Sequence, residues 1–331
     1  MKYRSFNTRI LPPILKKRDS SDTLSSFSDR DIPWRKHKRN AVTISKYYHL
    51  NGMESHARRV GMCSKVIGFK YVSNESGECN LKLSSALFCR VRCCPICQWR
   101  RSLRWKAKAR QALPDVLEDY PGYRWLFLTL TLKNCPIADL RETLTHINQS
   151  FRRLSQLSAF PGVGWIKSVE VTRGKDGSAH PHLHILMMVH PDSFSNNYLN
   201  KEEWVELWKK SLRVDYRPIL DIRAIKPEKS PIGLLSEILK YQCKESDLVH
   251  DSEWFGEYVK QTHKTRCVSV GGVFRKYFRV LEQEPEDLIG GDNEDEDQDA
   301  DDVIFFKWDY RRGDYIFWTP EPDSFWINDT S

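Results

Sequence analysis

Mixed α and β structure organised around an antiparallel strand pair is the fold class this sequence predicts, and three stretches carry the prediction. Residues 123–132 (YRWLFLTLTL) alternate and are rich in aromatic and β-branched side chains, the pattern of a central strand. Residues 164–172 and 182–189 read as two further strands joined by a Gly-containing turn over 173–179, which makes them a hairpin. Between the first strand and the hairpin, Leu140, Leu144, Ile147, Phe151 and Leu154 recur at three- and four-residue steps across 138–157, the signature of an amphipathic helix.

The remaining elements follow in order. Residues 1–40 are rich in Ser, Asp, Lys and Arg, include Pro12 and Pro13, and are expected to form a flexible basic arm. A mixed apolar and polar pattern over 41–59 predicts a helix or two leading into a cysteine-rich region from Cys63 to about Arg104, so 41–110 reads as one element and 111–281 as the main domain. Within that domain 201–212 is helical with Trp204 and Trp208 on one face, and 213–225 is a strand. Residues 231–248 form the next helix, which Ser230 caps ahead of Pro231. A helix over 254–263 and a last ordered segment over 271–280 complete the domain. The acidic stretch 282–302 is expected to be solvated and disordered, and the tail 303–331 is aromatic enough between 305 and 326 to dock back.

At 331 residues the chain can bury a large core. Its nine cysteines come without a signal peptide, because 1–17 lacks a sustained apolar core, and no stretch is apolar enough to span a bilayer. A cytoplasmic location is therefore expected, where clustered cysteines serve as metal ligands rather than disulfides. The formal charge of +8 hides an asymmetry: residues 282–302 hold 12 acidic and no basic side chains, and without them the balance rises to +20. That excess favours a phosphate-backbone partner bound in a salt-sensitive way, although anionic membranes and acidic proteins present the same sign of charge.

Three constellations carry chemistry. In His180-Pro181-His182-Leu183-His184, strand alternation sends His182 and His184 to one face, where the pair can hold a divalent ion or stand as half-exposed core residues. His180, beside proline at the strand's start, is a flanking residue. Glu170, on the preceding hairpin strand, is the candidate third ligand. The second is Cys89-x4-Cys94-Pro95-x-Cys97, in which Cys94 and Cys97 have the spacing to grip one Zn²⁺. A tetrahedral site then needs Cys89 and one of Cys63 or Cys79, with Cys63 favoured, while Cys93 is too close to Cys94 to join the same ion. The stretch that follows carries Arg100, Arg101 and Arg104 with Trp99 and Trp105, suited to phosphates and unpaired bases or, equally, to an ordinary helix with core indoles. In the third, Glu237 and Tyr241 stand four apart on the expected 231–248 helix beside Lys240 and Lys244, an arrangement that fits attack of a phenol on a phosphodiester.

In their order, these motifs resemble plasmid rolling-circle replication initiators of the HUH endonuclease superfamily, in the branch with a zinc-binding cysteine cluster and one catalytic tyrosine. The matching stretch runs from about Cys63 to Tyr277 and includes Trp99-Arg100-Arg101, Phe127-Leu128-Thr129-Leu130-Thr131 and Glu237-x3-Tyr241-x2-Lys244. No second tyrosine lies four residues from Tyr241; Glu237 and Glu245 occupy those positions. Cys93, the N-terminal arm and the acidic tract fall outside the pattern.

The resemblance implies an α+β fold: a central antiparallel sheet carrying His182 and His184, with helices on one face and a small zinc-binding element. It implies Mg²⁺ or Mn²⁺ at the histidines, structural Zn²⁺ at the cysteines, and nicking of one strand of plasmid origin DNA by Tyr241, which stays joined to the 5′-phosphate. Glu237 would activate water at termination, and a host helicase and DNA polymerase would act on the opened origin. The alternatives are a transposase or mobilisation relaxase using the same chemistry, or a non-enzymatic zinc-containing DNA-binding regulator.

Overall fold

The computed structural model describes residues 22–73, 79–195, 198–226, 231–239, 242–282, 288–289 and 303–319. In chain order the elements are α1 (Leu24–Phe27), α2 (Ile32–Leu50), α3 (Glu54–Met62), β1 (Val66–Ser73), β2 (Cys79–Ala86), α4 (Pro95–Asp119), β3 (Arg124–Thr131), α5 (Leu140–Leu154), β4 (Gly162–Arg173) and β5 (Ala179–Val189). There follow α6 (Lys201–Leu212), β6 (Leu220–Ala224), α7 (Ile232–Ile238), α8 (Glu245–Leu248), α9 (Ser252–Thr262), β7 (Val268–Gly272), α10 (Arg275–Phe278), β8 (Val303–Asp309) and β9 (Asp314–Trp318). The class is α+β, with two antiparallel sheets.

The larger sheet runs β6-β3-β5-β4-β7, every ladder antiparallel. β4 and β5 form the expected hairpin, whose turn uses Gly177 at φ +82°, a conformation that side chains with a Cβ disfavour. Alternation sends Leu126, Leu128 and Leu130 of β3 and Leu183, Ile185 and Met187 of β5 to one face. There they meet all five predicted apolar positions of α5 and both Trp204 and Trp208 of α6. The opposite face presents Trp125, Phe127, Leu186 and Met188 to Trp105, Ala109 and Leu113 of α4 and to Leu235 and Ile238 of α7. The expected helix layer is thus joined by a second one, because β3 and β5 are apolar on both sides.

The smaller sheet runs β2-β1-β8-β9 and draws its last two strands from the aromatic tail, which docks back as expected. α4 links the two sheets: its first turns bury Ile96 and Cys97 among the residues around the smaller sheet, and its later turns lie on the larger one.

Two expectations need correction. The basic arm placed over 1–40 is folded from Thr23 onward, with Leu24 buried and α2 beginning at Ile32. Its core stripe of Trp34, Ala41, Ile44 and Tyr48 is interrupted in sequence by His37 and Lys38, which are themselves buried, and so it does not read as apolar periodicity. The helix expected over 231–248 is two short helices, α7 and α8, separated at Leu239 (φ −89°, ψ 39°). Tertiary hydrogen bonds compete with the helix there: Ser102 Oγ donates to the Leu239 carbonyl, and the Gln242 carbonyl accepts from Val171 N–H at 2.7 Å. Residues 1–21 and most of the acidic tract lie outside the described residues. No described helix is long and apolar enough to cross a membrane.

Candidate metal centres and nucleic-acid site

β5 positions the histidines, and the ladder registers bring their partners. His182 stands opposite Glu170 on β4 and Thr131 on β3; His184 stands opposite Ser168 and Thr129. Glu170 Oε2 lies 3.0 Å from His184 Nε2 and 3.6 Å from His182 Nε2. One donor atom from each of Glu170, His182 and His184 falls within 4.8 Å of the others, so the three can hold one cation. The outer ring nitrogens are held as well: His182 Nδ1–H donates to the His180 carbonyl at 3.2 Å, and His184 Nδ1 lies 3.2 Å from Thr129 Oγ1. A carbonyl only accepts, so Nδ1–H of His182 is committed to His180 and Nε2 is the ring nitrogen that faces Glu170. Burial opposes ionisation of Glu170, yet hydrogen bonds and charge from His182 and His184 outweigh it and hold the carboxyl well below its usual range.

His180 is not part of the cluster; its ring centroid is 5.2 Å from that of His182, and burial lowers its pKa, with the charge of His182 adding to the effect. Phe127 packs its ring 5.7 Å from His184 on the same sheet face, with the Arg223 guanidinium 5.8 Å from the Phe127 ring. Arg223 pairs with Asp221 at 2.6 Å, and Glu237 adds to the field that raises its pKa after Asp221. Glu237 thus sits in the last turn of α7, near the exposed edge strand β6. Tyr241 and Lys240 lie outside the described residues, and the break at Leu239 means that no unbroken helix carries the Glu237–Tyr241 spacing. Beyond them, Gln242 and Cys243 run beside β4, where Cys243 pairs with Val171, the neighbour of Glu170. Lys244 is exposed at the start of α8.

Cys63, Cys89, Cys94 and Cys97 converge with all four sulfurs within 4.8 Å, so Cys63 supplies the fourth sulfur of the cluster. Sγ–Sγ separations of 3.6 Å (Cys63–Cys97) and 3.7 Å (Cys89–Cys97) match the roughly 3.8 Å edge of a tetrahedron with Zn–S bonds of about 2.3 Å. Backbone N–H groups of Cys89 and Arg90 point at Cys63 Sγ (3.5 Å) and Cys97 Sγ (3.3 Å), and Arg90 takes φ +56° to do so. Burial and contact with the other three sulfurs push the Cys94 thiol well up, so four ionised sulfurs at this spacing call for a cation among them. Lys38, fully buried on α2, donates to the carbonyls of Cys63 (2.6 Å) and Gly61 (2.9 Å) and brings one positive charge beside the cluster. Cys93 is buried outside the cluster, against the Tyr48 hydroxyl.

The arginines after the knuckle do not form one open stripe. Arg100 donates to the carbonyls of Leu288 (2.8 Å) and Ile289 (3.0 Å), Arg101 is only 6% exposed, and Arg104 is half-buried. The indoles take the core reading: Trp99 packs edge-on to Trp34 at 4.9 Å and stacks on His37 at 4.7 Å, and Trp105 is buried against the larger sheet.

Several contributing residues escape a reading of the sequence. Thr129 lies in the strand quoted above, but only the register of β3 on β5 shows that it meets His184. Arg92, inside the knuckle, donates to the Thr265 carbonyl at 2.6 Å and to Gln242 Oε1, tying the cysteine cluster to the residue that follows Tyr241. Glu245, buried on α8, accepts from His37 (2.5 Å) and Asn40 (2.6 Å) of α2. No local spacing signals either pair.

A family described as Replication protein matches residues 80–316 of this chain. The chain is 31% identical over 310 residues to Protein rep of Lentilactobacillus hilgardii, covering 88% of this chain and 97% of that protein. It is 32% identical over 299 residues to Protein rep of Streptococcus pneumoniae serotype 2 (87% and 92% covered) and 31% identical over 227 residues to the Replication protein of Staphylococcus aureus (63% and 97%). No solved structure matches the chain.

Proposed function

The chain belongs to the Replication protein family, and on that premise we propose that it initiates rolling-circle replication of a plasmid by nicking one strand of the origin through a covalent bond to Tyr241. The observation that carries this reading is the convergence of Glu170, His182 and His184 on one sheet face, beside the segment that Gln242 anchors to β4. Two imidazoles and a carboxylate, from His182, His184 and Glu170, would hold Mg²⁺ or Mn²⁺, which would supply Lewis-acid polarisation of a bound phosphate. The four cysteines suit structural Zn²⁺.

Tyr241 supplies the nucleophile. Its phenolic oxygen bonds to phosphorus as the bond from phosphorus to the 3′-oxygen breaks; the phenol's proton is lost and the 3′-oxygen leaves as a hydroxyl. The 5′-phosphate stays on Tyr241, and the 3′-hydroxyl primes a host polymerase while a host helicase opens the duplex. At termination Glu237 takes a proton from water, whose oxygen displaces the phenol from phosphorus. Arg100, Arg101, Arg104, Lys240 and Lys244 offer positive charge to the strand in the cytoplasm.

The test uses a single-stranded origin oligonucleotide with Mn²⁺. Wild type forms a denaturation-resistant adduct that maps to the Tyr241 peptide, and Tyr241→Phe forms none. An adduct retained in that variant would remove Tyr241 from the role.

A further inference from the structure

A cleft of about 270 Å³ opens beside the assigned residues. Val268 in its wall pairs with Ser168, two residues before Glu170, so the cleft lies on the sheet face that carries the metal cluster. Among the described residues Arg92, Arg101, Lys264 and Arg266 line it, with Glu282 as the carboxylate. That carboxylate is shared, lying 3.5 Å from Arg266 Nη1 and accepting Val270 N–H at 3.0 Å. Arg92 meets neutral acceptors, the carbonyl and hydroxyl of Thr265 and the side chain of Gln242. The charges of Arg92 and Arg101 both reach into the cleft, where they pull down the pKa of the Cys267 thiol that burial raises to about 11.

Among the described lining residues, Arg92, Lys264 and Arg266 outnumber the single carboxylate of Glu282, an excess of positive charge that suits an anion. Its place selects the anion: Gln242, in the wall, is the residue that follows Tyr241 in the sequence. The cleft falls below the roughly 300–1,000 Å³ of sites for whole small molecules, which suits one phosphate and the edge of its sugar. A second cleft, of about 360 Å³, shares Gln242, Thr265 and Arg266 with the first but is lined by Leu144, Lys167 and Val169 on the opposite, α5-covered face of the sheet, so the first cleft is a separate site.

We infer that this cleft is a phosphate subsite gripping a phosphodiester that flanks the scissile bond. The inference rests on the assignment of Tyr241 above, but its test reads binding and needs no chemistry.

Lys264 and Arg266 are exposed, so Lys264→Ala/Arg266→Ala keeps the fold. The single-stranded origin oligonucleotide is made with one neutral methylphosphonate at each position in turn, and affinity is measured by fluorescence anisotropy against salt. In wild type, one neutral linkage beside the nick weakens binding roughly tenfold; in the double variant that linkage costs nothing further, and the salt slope is shallower by about 0.7 for the one phosphate no longer neutralised. Equal losses at every position in both proteins would overturn the subsite. Competition with inorganic phosphate and dATP separates the sources of phosphate: occupancy by either at a saturating oligonucleotide concentration assigns the cleft to free phosphate compounds and overturns the strand assignment. Displacement of both by the oligonucleotide supports it. Adduct formation that persists while the scan shows no dependence on these residues would defeat the subsite alone, and an adduct surviving Tyr241→Phe would defeat the assignment of the nucleophile.

Discussion

Thr129 Oγ1 lies 3.2 Å from His184 Nδ1, on the far side of the imidazole from Glu170, so the ring is held between a hydroxyl and a carboxylate. An outer partner of this kind fixes which ring nitrogen faces a metal. Thr129→Val keeps the shape of the side chain and removes the hydroxyl. Mn²⁺ affinity by titration calorimetry should fall about 10- to 100-fold with the melting profile little changed; an unaltered affinity would remove Thr129 from the site.

Glu170→Gln tests the carboxylate directly. It keeps the volume but exchanges one oxygen for an amide, and Mn²⁺ binding and adduct formation should be lost together. Restoration of both by raised Mn²⁺ would mark Glu170 as a ligand whose loss weakens the site without closing it, whereas full activity at low Mn²⁺ would exclude it.

Cys63→Ser should reduce bound zinc, read by metal analysis of the purified protein, from one per chain to a small fraction and lower the melting temperature. Cys79→Ser and Cys93→Ala should keep the zinc, because Cys93 is buried outside the cluster and Cys63 supplies its fourth sulfur. Retention of zinc in Cys63→Ser with loss in Cys79→Ser would reverse that assignment.

His37→Ala removes a partner of Glu245, and both side chains are less than a tenth exposed. Leaving that carboxylate buried with one partner fewer should cost about 3 kcal/mol in urea unfolding. His37→Ala combined with Glu245→Leu should recover part of the loss; a double variant as unstable as the sum of the singles would show that the two do not act as a pair.

Lys167 supplies a pH signature. Burial lowers its pKa from 10.5 to about 8, and its ammonium rests on Asn148 and the Phe151 ring. Below pH 8 both folded and unfolded chains carry the proton, and the folded state bears the whole desolvation cost. Between 8 and 10.5 the unfolded chain holds a proton that the folded chain has shed, so stability rises with pH by up to about 1.4 kcal/mol per unit. Lys167→Met should lack this contribution. Urea unfolding of both proteins from pH 7 to 10.5 measures the difference, and parallel curves would refute it.

Local pattern made α5, the β4–β5 hairpin and the two histidines legible, because each rests on spacing within a few residues. Glu170 followed from the hairpin, whose pairing fixes it opposite His182. What local pattern could not supply was tertiary. The helix break at Leu239 depends on Ser102 and Val171, more than 60 residues away in each case. The smaller sheet depends on Val66 meeting Lys307. Trp99 and Trp105 were equally at home on nucleic acid or in a core, and only packing decides between them.

The pairing of β1 with β8 bears on synthesis. Val66 leaves the ribosome about 240 residues before its partner Lys307, and contacts of such separation form late. Until translation has passed Trp318, the sheet beside the cysteine knuckle lacks two of its four strands, and Tyr315, whose hydroxyl donates to the Ser64 carbonyl next to Cys63, is missing. A nascent or prematurely stopped chain carries every residue assigned to cleavage but an unfinished support for the knuckle.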